Sequence, residues 1–332
     1  MKVFRISNIT AEFILKWTLF FTYLLFCLCG ILQFELWSQV THIWYSGRGD
    51  LSVMNNPHAL RFYLVLPVFE ISKLINVDYN YLFTILAPVL IYIAASCINK
   101  VVYYIAALTT KKQRLMSFSL IFSILCLVSF FMNGRIIFAI LAASILLYIS
   151  FFWKNLALSS IVFLFFLGLF FSSVSSGTLI VYLISFALTL FYYLLRIDVK
   201  MRVIILLSFV LFYVCIYPLL SMMFFKNVDF YGGGLTGFIQ MLDHGFGAIL
   251  VNDYGVVVKI YFSLIVLMSC FFIIAIFIIY KWLRLFMMLI FVALTGGLFG
   301  YSTMMMVIPS ITALMCFCFI CSLKLFHKSI LM

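Results

Sequence analysis

The stretch "NNPHALRFYLVLPVFEISKLI", residues 55–75, is an apolar run that also holds Arg61, Glu70, Lys73 and two prolines. Its reading decides the fold, because a membrane crossing here would move every later segment to the other side. Pro67 interrupts the run, and Arg61 and Glu70 would point to opposite faces of a straight helix. Residues 55–76 are therefore read as an interfacial or re-entrant segment that does not cross.

The whole chain sets the context for that stretch. Of its 332 residues, 67% are hydrophobic and 9% charged, with a mean hydropathy of +1.28. Globular soluble chains are about half apolar and a quarter charged. The expected class is all-α: a polytopic transmembrane helical bundle forming a single integral membrane domain over residues 1–332, with the lipid bilayer as its first partner. The net charge of +12 comes with no basic stripe or nucleic-acid motif, so nucleic acid is excluded as a partner. The N-terminal Lys2, Arg5 and Lys16 precede an apolar run without a small-residue cleavage site, which reads as an uncleaved first span.

Runs of 17 to 25 apolar residues are what a crossing needs. About ten occur, near 17–34, 80–99, 116–132, 136–152, 156–173, 178–195, 203–224, 259–280, 285–300 and 303–323. With both termini in the cytoplasm, the inner side holds Lys2, Arg5, Lys16, Lys111, Lys112, Arg114, Lys154, Arg196, Lys200, Arg202, Lys281, Arg284, Lys324 and Lys328. Only Glu12 and Asp198 oppose them there. The outer side holds Arg48, Arg61, Lys73, Arg135, Lys226 and Lys259 with seven acidic residues. This is the asymmetry of the positive-inside rule. Were 62–76 a further span, "KKQR" and "RIDVKMR" would face outward, against that rule. Trp37 and Trp44 then fall at the outer interface, and Trp17, Trp153 and Trp282 at the inner one.

Two long external segments result, 35–79 and 225–258, and they gather most of the ionisable residues outside the inner loops. The first holds His42, Arg48, Asp50, His58, Arg61, Glu70, Lys73 and Asp78. The second, "KNVDFYGGGLTGFIQMLDHGFGAILVNDYG", holds Lys226, Asp229, Asp243, His244 and Asp253, with glycines that allow irregular backbone and close approach to a ligand. Arg135 stands between them in the turn "NGR". Intramembrane and interfacial ionisable groups are functional candidates by default. Each also has a plain alternative: Arg61 snorkelling or pairing with Glu70, Arg135 as one charge after an Asn-Gly turn, His244 as an ordinary loop histidine. "RGD" at 48–50 is a chance tripeptide, and "GGLFG" at 296–300 reads as helix packing. The nine cysteines all lie in apolar runs and read as small apolar filler. No metal-ligand spacing is evident, and no cofactor is expected.

Arginine forks suit diphosphate oxygens, and His or Asp can serve as a general base. Without a P-loop or a cytosolic nucleotide-binding segment, a reaction on the outer side needs a donor already activated and held in the membrane. A lipid-diphosphate-linked sugar is such a donor.

Three stretches resemble the O-antigen polymerase family, the Wzy-type integral-membrane polysaccharide polymerases. "FMNGRIIFAILAASILLYIS" (131–150) is similar to that family's arginine at an outer helix start before a small-residue-rich span. "DHGFGAILVNDYGVVVKIYFSLIVL" (243–267) resembles a loop histidine followed eleven residues on by glycine and a span, here His244 and Gly255. "RFYLVLPVFEISKLI" (61–75) is similar to the aromatic, Pro-containing stretch after the first external loop of exopolysaccharide polymerases. The second loop departs from the pattern in offering Lys226 where such polymerases often carry arginines. The resemblance implies transfer of a growing glycan from undecaprenyl diphosphate to a newly flipped lipid-linked repeat unit, at the outer face of a bacterial inner membrane. Arg135 and Arg61, with Arg48, are the expected groups for the leaving diphosphate. His244, supported by Asp243, is the expected base or acceptor-orienting group. His58, Lys226 and Asp253 complete the expected substrate-binding set, and the resemblance implies a chain-length regulator as a protein partner.

Three other classes compete. Small exporters have a five-plus-five internal repeat, which is not visible here. Lipid-linked oligosaccharide flippases share the substrate but are usually longer. A transferase using a lipid-monophosphate sugar is expected to show an acidic pair in the first external loop, where Asp50 stands alone and Glu35 lies well upstream.

Overall fold

The computed structural model describes residues 3–46, 59–105, 111–130, 134–175 and 199–240, with scattered positions between 178 and 190 and at 256 and 260. The architecture is all-helical, with no strand among the described residues. The helices are α1 (Val3–Leu28), α2 (Ser38–Ser46), α3 (Ala59–Ile75), α4 (Tyr79–Ile105), α5 (Lys111–Phe130), α6 (Arg135–Phe152), α7 (Leu158–Ser172) and α8 (Val199–Phe230).

α4 and α6 run parallel at the centre. Phe83 stacks on Phe138 near their starts, and Lys100 lies over the Tyr148 ring near their ends. α5 returns antiparallel beside α4, and α1 packs against both through Trp17 on Tyr92 and Tyr23 on Phe122. α7 covers the far side of α6. Burial explains why α6 is central: Ile137 through Ala142, Ser144 through Leu147, and Ile149 through Phe151 are all buried. A helix that is apolar all round is either an inner helix or a membrane span, and this one is packed between α4 and α7. Its serines are satisfied at home or across helices, Ser144 Oγ donating to Ile140 O at 2.6 Å and Ser150 Oγ meeting Thr189 Oγ1 at 3.0 Å. At the α7 contact, Gly168 leaves room for the Tyr182 ring, whose hydroxyl donates to Phe165 O at 3.1 Å.

Two helical stretches, Tyr79–Tyr103 and Ile137–Asn155, are long and apolar enough to cross a membrane by length and composition. They coincide with the runs read at 80–99 and 136–152. Phe13–Leu28, Leu158–Ser172 and Ile205–Val214 are shorter apolar helical stretches. The runs at 259–280, 285–300 and 303–323 lie outside the described residues.

The structure amends the reading at Pro67 and adds local detail in three other places. Pro67 does not interrupt the 59–75 run; α3 continues through it. Proline deprives Tyr63, four residues earlier, of a backbone donor, and both residues lie on the exposed side of α3, where that loss is cheapest. The described residues of 35–79, read as a long external segment, are largely helical, forming α2, α3 and the start of α4. The segment read from 225 to 258 begins inside α8, which runs on to Phe230. Trp37, read as an interfacial belt residue, is buried edge-on against Phe138.

Candidate functional site at the head of the bundle

The first span was expected to run to residue 34, but α1 stops at Leu28, and the chain turns at Gly30, which has a φ of +72°. Residues 33–37 form neither helix nor strand; Leu32, Phe34 and Leu36 are buried and Gln33 and Glu35 exposed, the alternation of extended chain, and the segment lies along the start of α4. Such a segment needs partners for its backbone. Phe34 N donates to Thr84 Oγ1 at 2.9 Å, Thr84 Oγ1 donates back to Phe34 O at 3.3 Å, and Leu36 N donates to Asn80 Oδ1 at 2.9 Å. The fit is metrical. Two residues of extended chain rise about 6.6 Å, and four residues of helix rise about 6 Å. Residues 34 and 36 thus register with 84 and 80.

Asp78 starts α4. Its Oδ1 accepts from Asn80 N at 2.7 Å and Tyr81 N at 3.1 Å, as an N-cap does. The preceding helix ends at Asn76, whose φ is +54°, with Val77 N donating to Ser72 O at 3.1 Å. α6 begins at the same end. Gly134 is buried there, and a Cβ on it would overlap the Phe83 ring and lie 3.1 Å from Glu35 O. The head of the bundle thus joins the end of α1, the extended segment, and the starts of α4 and α6. Between the first three lies a cavity of about 280 Å³, lined among others by Gln33, Glu35, Asp78, Asn80 and Tyr81.

The expected site residues fall unevenly around this head. Arg135 opens α6, so its backbone stands directly after the Gly134 contact with Glu35. Arg61 lies in the first turn of α3, half-buried. Glu70 is nine residues further along the same helix, about 13.5 Å in rise and on the opposite face, so the two do not pair. α3 reaches the head by its other end, where Phe69 contacts Tyr79 and stacks on Trp44. Lys226 is exposed on the last turns of α8, and His42 is exposed on α2. Arg48, His58, Asp243, His244 and Asp253 lie outside the described residues.

Three of the glycines expected to admit a ligand instead end a helix. Gly232, Gly233 and Gly234 have φ of +107°, +74° and +57°, and Gly233 N donates to Val228 O at 3.0 Å, closing α8. Residues 234–240 form a further helical turn that folds back so closely that a Cβ on Gly237 would overlap Val228 O. Partial burial pushes the Tyr231 phenol above its ordinary range.

Reading charge alone missed the uncharged polar residues of the head, namely Gln33, Asn80, Tyr81 and Thr84. It also missed that Glu35 and Asp78 line one cavity. The available signal was "DYN" immediately before an apolar run, a helix-start pattern, and the polar pair Asn80 and Thr84 at i, i+4 on one helix face. No group of three or more His, Cys, Asp or Glu residues able to hold a metal occurs among the described residues. Comparison with family models, curated proteins and solved structures finds no match to this chain.

Proposed function

We propose that this chain is a membrane-embedded polysaccharide polymerase of the Wzy type, with about ten spans in a bacterial inner membrane and both termini in the cytoplasm. It would join repeat units carried on undecaprenyl diphosphate at the outer face. The observation that carries the reading is the polarity of the bundle. Its head gathers Glu35, Asp78, Asn80, Tyr81 and the Arg135 helix start. Lys100 and Arg114, towards the other end, and Lys16, midway along α1, each lie over an aromatic ring. A polar head above a basic base is the distribution a positive-inside protein with external chemistry needs.

Outward-facing apolar side chains support the membrane setting. Phe13, Phe21 and Leu25 on α1, Leu158 and Phe163 on α7, and Leu207 and Val214 on α8 are more than half exposed. Thr18 and Thr22, among the α1 residues, turn their hydroxyls back to Ile14 O and Thr18 O at 2.8 Å, as hydroxyls do in an apolar surround. In the proposed reaction Arg135 and Arg61 neutralise the leaving diphosphate, and His244 assists the acceptor hydroxyl.

A second reading is a transferase using a lipid-monophosphate sugar, favoured by the meeting of Glu35 and Asp78 at one cavity within the first external segment. A lipid-linked oligosaccharide flippase is the alternative from another class. The test is an electrophoretic profile of surface glycolipids from a deletion strain and its complemented counterpart. Deletion should leave acceptors bearing a single repeat unit, and complementation should restore the ladder. Repeat units that never reach the outer face would instead identify a flippase or an earlier transferase.

A further inference from the structure

The framework of the head cavity is satisfied from within. Thr84 and Asn80 Oδ1 are engaged with the backbone of Phe34 and Leu36, and one Asp78 oxygen caps α4. Left to the cavity are the Gln33 carboxamide, the Glu35 carboxylate, the second Asp78 oxygen and the Tyr81 hydroxyl. None of these four groups has a hydrogen-bond partner among the described residues. They bring amide and hydroxyl donors together with carboxylate acceptors, and Phe34 and Cys27 supply an apolar wall beside them.

That lining selects a ligand class. Two carboxylates, with no basic residue among the described lining residues, favour neutral hydroxyl groups over a diphosphate here. Hydroxyls that donate to carboxylates and accept from amides, carried on a ring with an apolar C–H face, match both walls. At about 280 Å³, the cavity lies at the lower edge of the roughly 300–1,000 Å³ range of small-molecule sites. It suits one ring, not a chain of them.

We infer that the head cavity binds an uncharged pyranose ring of the glycan substrate, with Glu35 and Asp78 accepting from its hydroxyls and Gln33 donating to a ring or hydroxyl oxygen. The word substrate rests on the polymerase reading; the sugar-binding chemistry does not. No arginine is among the described lining residues, so this pocket is assigned to the sugar and not to the leaving diphosphate. Gly30 sets the position of Gln33. Its φ of +72° suits glycine, and a Cβ there would lie 3.3 Å from Gln33 Nε2, tight enough to shift the amide.

The test is saturation-transfer NMR on the purified full-length protein in lipid nanodiscs. The probes are glucose, galactose, mannose, rhamnose, N-acetylglucosamine and N-acetylgalactosamine, each added singly as the free sugar. At least one should receive saturation from the wild type. Glu35→Gln and Gln33→Ala should each weaken that sugar's affinity by about tenfold, the loss expected for one hydrogen bond to a charged or buried partner. Neither side chain holds the framework, so helix content and elution volume should be unchanged in both. Transfer to none of the sugars, or equal transfer in both variants, overturns the inference. Displacement of the bound sugar by calcium chloride also overturns it, by showing a cation site. Because no polymerisation is measured, sugar binding without a ladder phenotype strikes the polymerase reading alone, and a ladder phenotype without sugar binding strikes this pocket alone.

Discussion

The Thr84 hydroxyl and the Phe34 peptide exchange two hydrogen bonds, accepting from Phe34 N at 2.9 Å and donating to Phe34 O at 3.3 Å. One buried side chain thereby stands in for a β-partner and fixes the extended segment to α4. Thr84→Val keeps the shape and removes both bonds, leaving the Phe34 N–H buried without a partner. The expected cost is about 1–3 kcal/mol, read as a lower thermal midpoint in detergent, while Thr84→Ser stays close to wild type. An unchanged midpoint in Thr84→Val would mean that the segment is held by other contacts.

Gly134 is the second clamp on the head. A methyl group there overlaps the Phe83 ring and approaches Glu35 O, so Gly134→Ala should destabilise by about 1–3 kcal/mol through overpacking. Phe83→Leu in the same chain should recover part of the loss, because the two changes share a contact. Thermal midpoints of the single and double variants check this. Simple additivity would count against the packing argument.

Membrane orientation is tested by alkaline phosphatase fusions. A fusion after residue 240, beyond the α8 turn, should be active, and one after residue 113, in the first turn of α5, inactive. The opposite pair of results would turn the head to the cytoplasm and reverse the placement of 55–76.

Arg135→Ala and His244→Ala should each abolish chain extension with the protein inserted and abundant, measured as loss of the glycolipid ladder alongside an immunoblot of the membrane fraction. Arg135→Lys keeps the charge but not the two-pronged fork, and should retain only a small part of the activity. Normal ladders in either alanine variant would remove that residue from the site.

Much of the helical framework was legible because hydrocarbon-length apolar runs leave few alternatives. The runs at 80–99, 116–132, 136–152 and 156–173 correspond to α4, α5, α6 and α7 within a few residues. The head was harder to read. "GILQFELW" continues the apolar run of α1, and nothing local announces that its backbone will be satisfied by Asn80 and Thr84, some fifty residues later. Pro67 looked like a break because its tolerance depends on exposure, a property of the packed molecule. Gly232 to Gly234 looked like a ligand loop because permissive backbone serves a helix cap equally well. Glu35 and Asp78, far apart in the chain, became neighbours of one cavity only through tertiary packing.

The most direct test of the account is reconstitution of the purified protein in proteoliposomes with its undecaprenyl-diphosphate-linked repeat unit as the sole glycan substrate. The account predicts a ladder of lipid-linked oligomers together with release of undecaprenyl diphosphate, both absent with Arg135→Ala. Repeat units that cross the bilayer yet remain single would contradict it and mark the protein as a flippase.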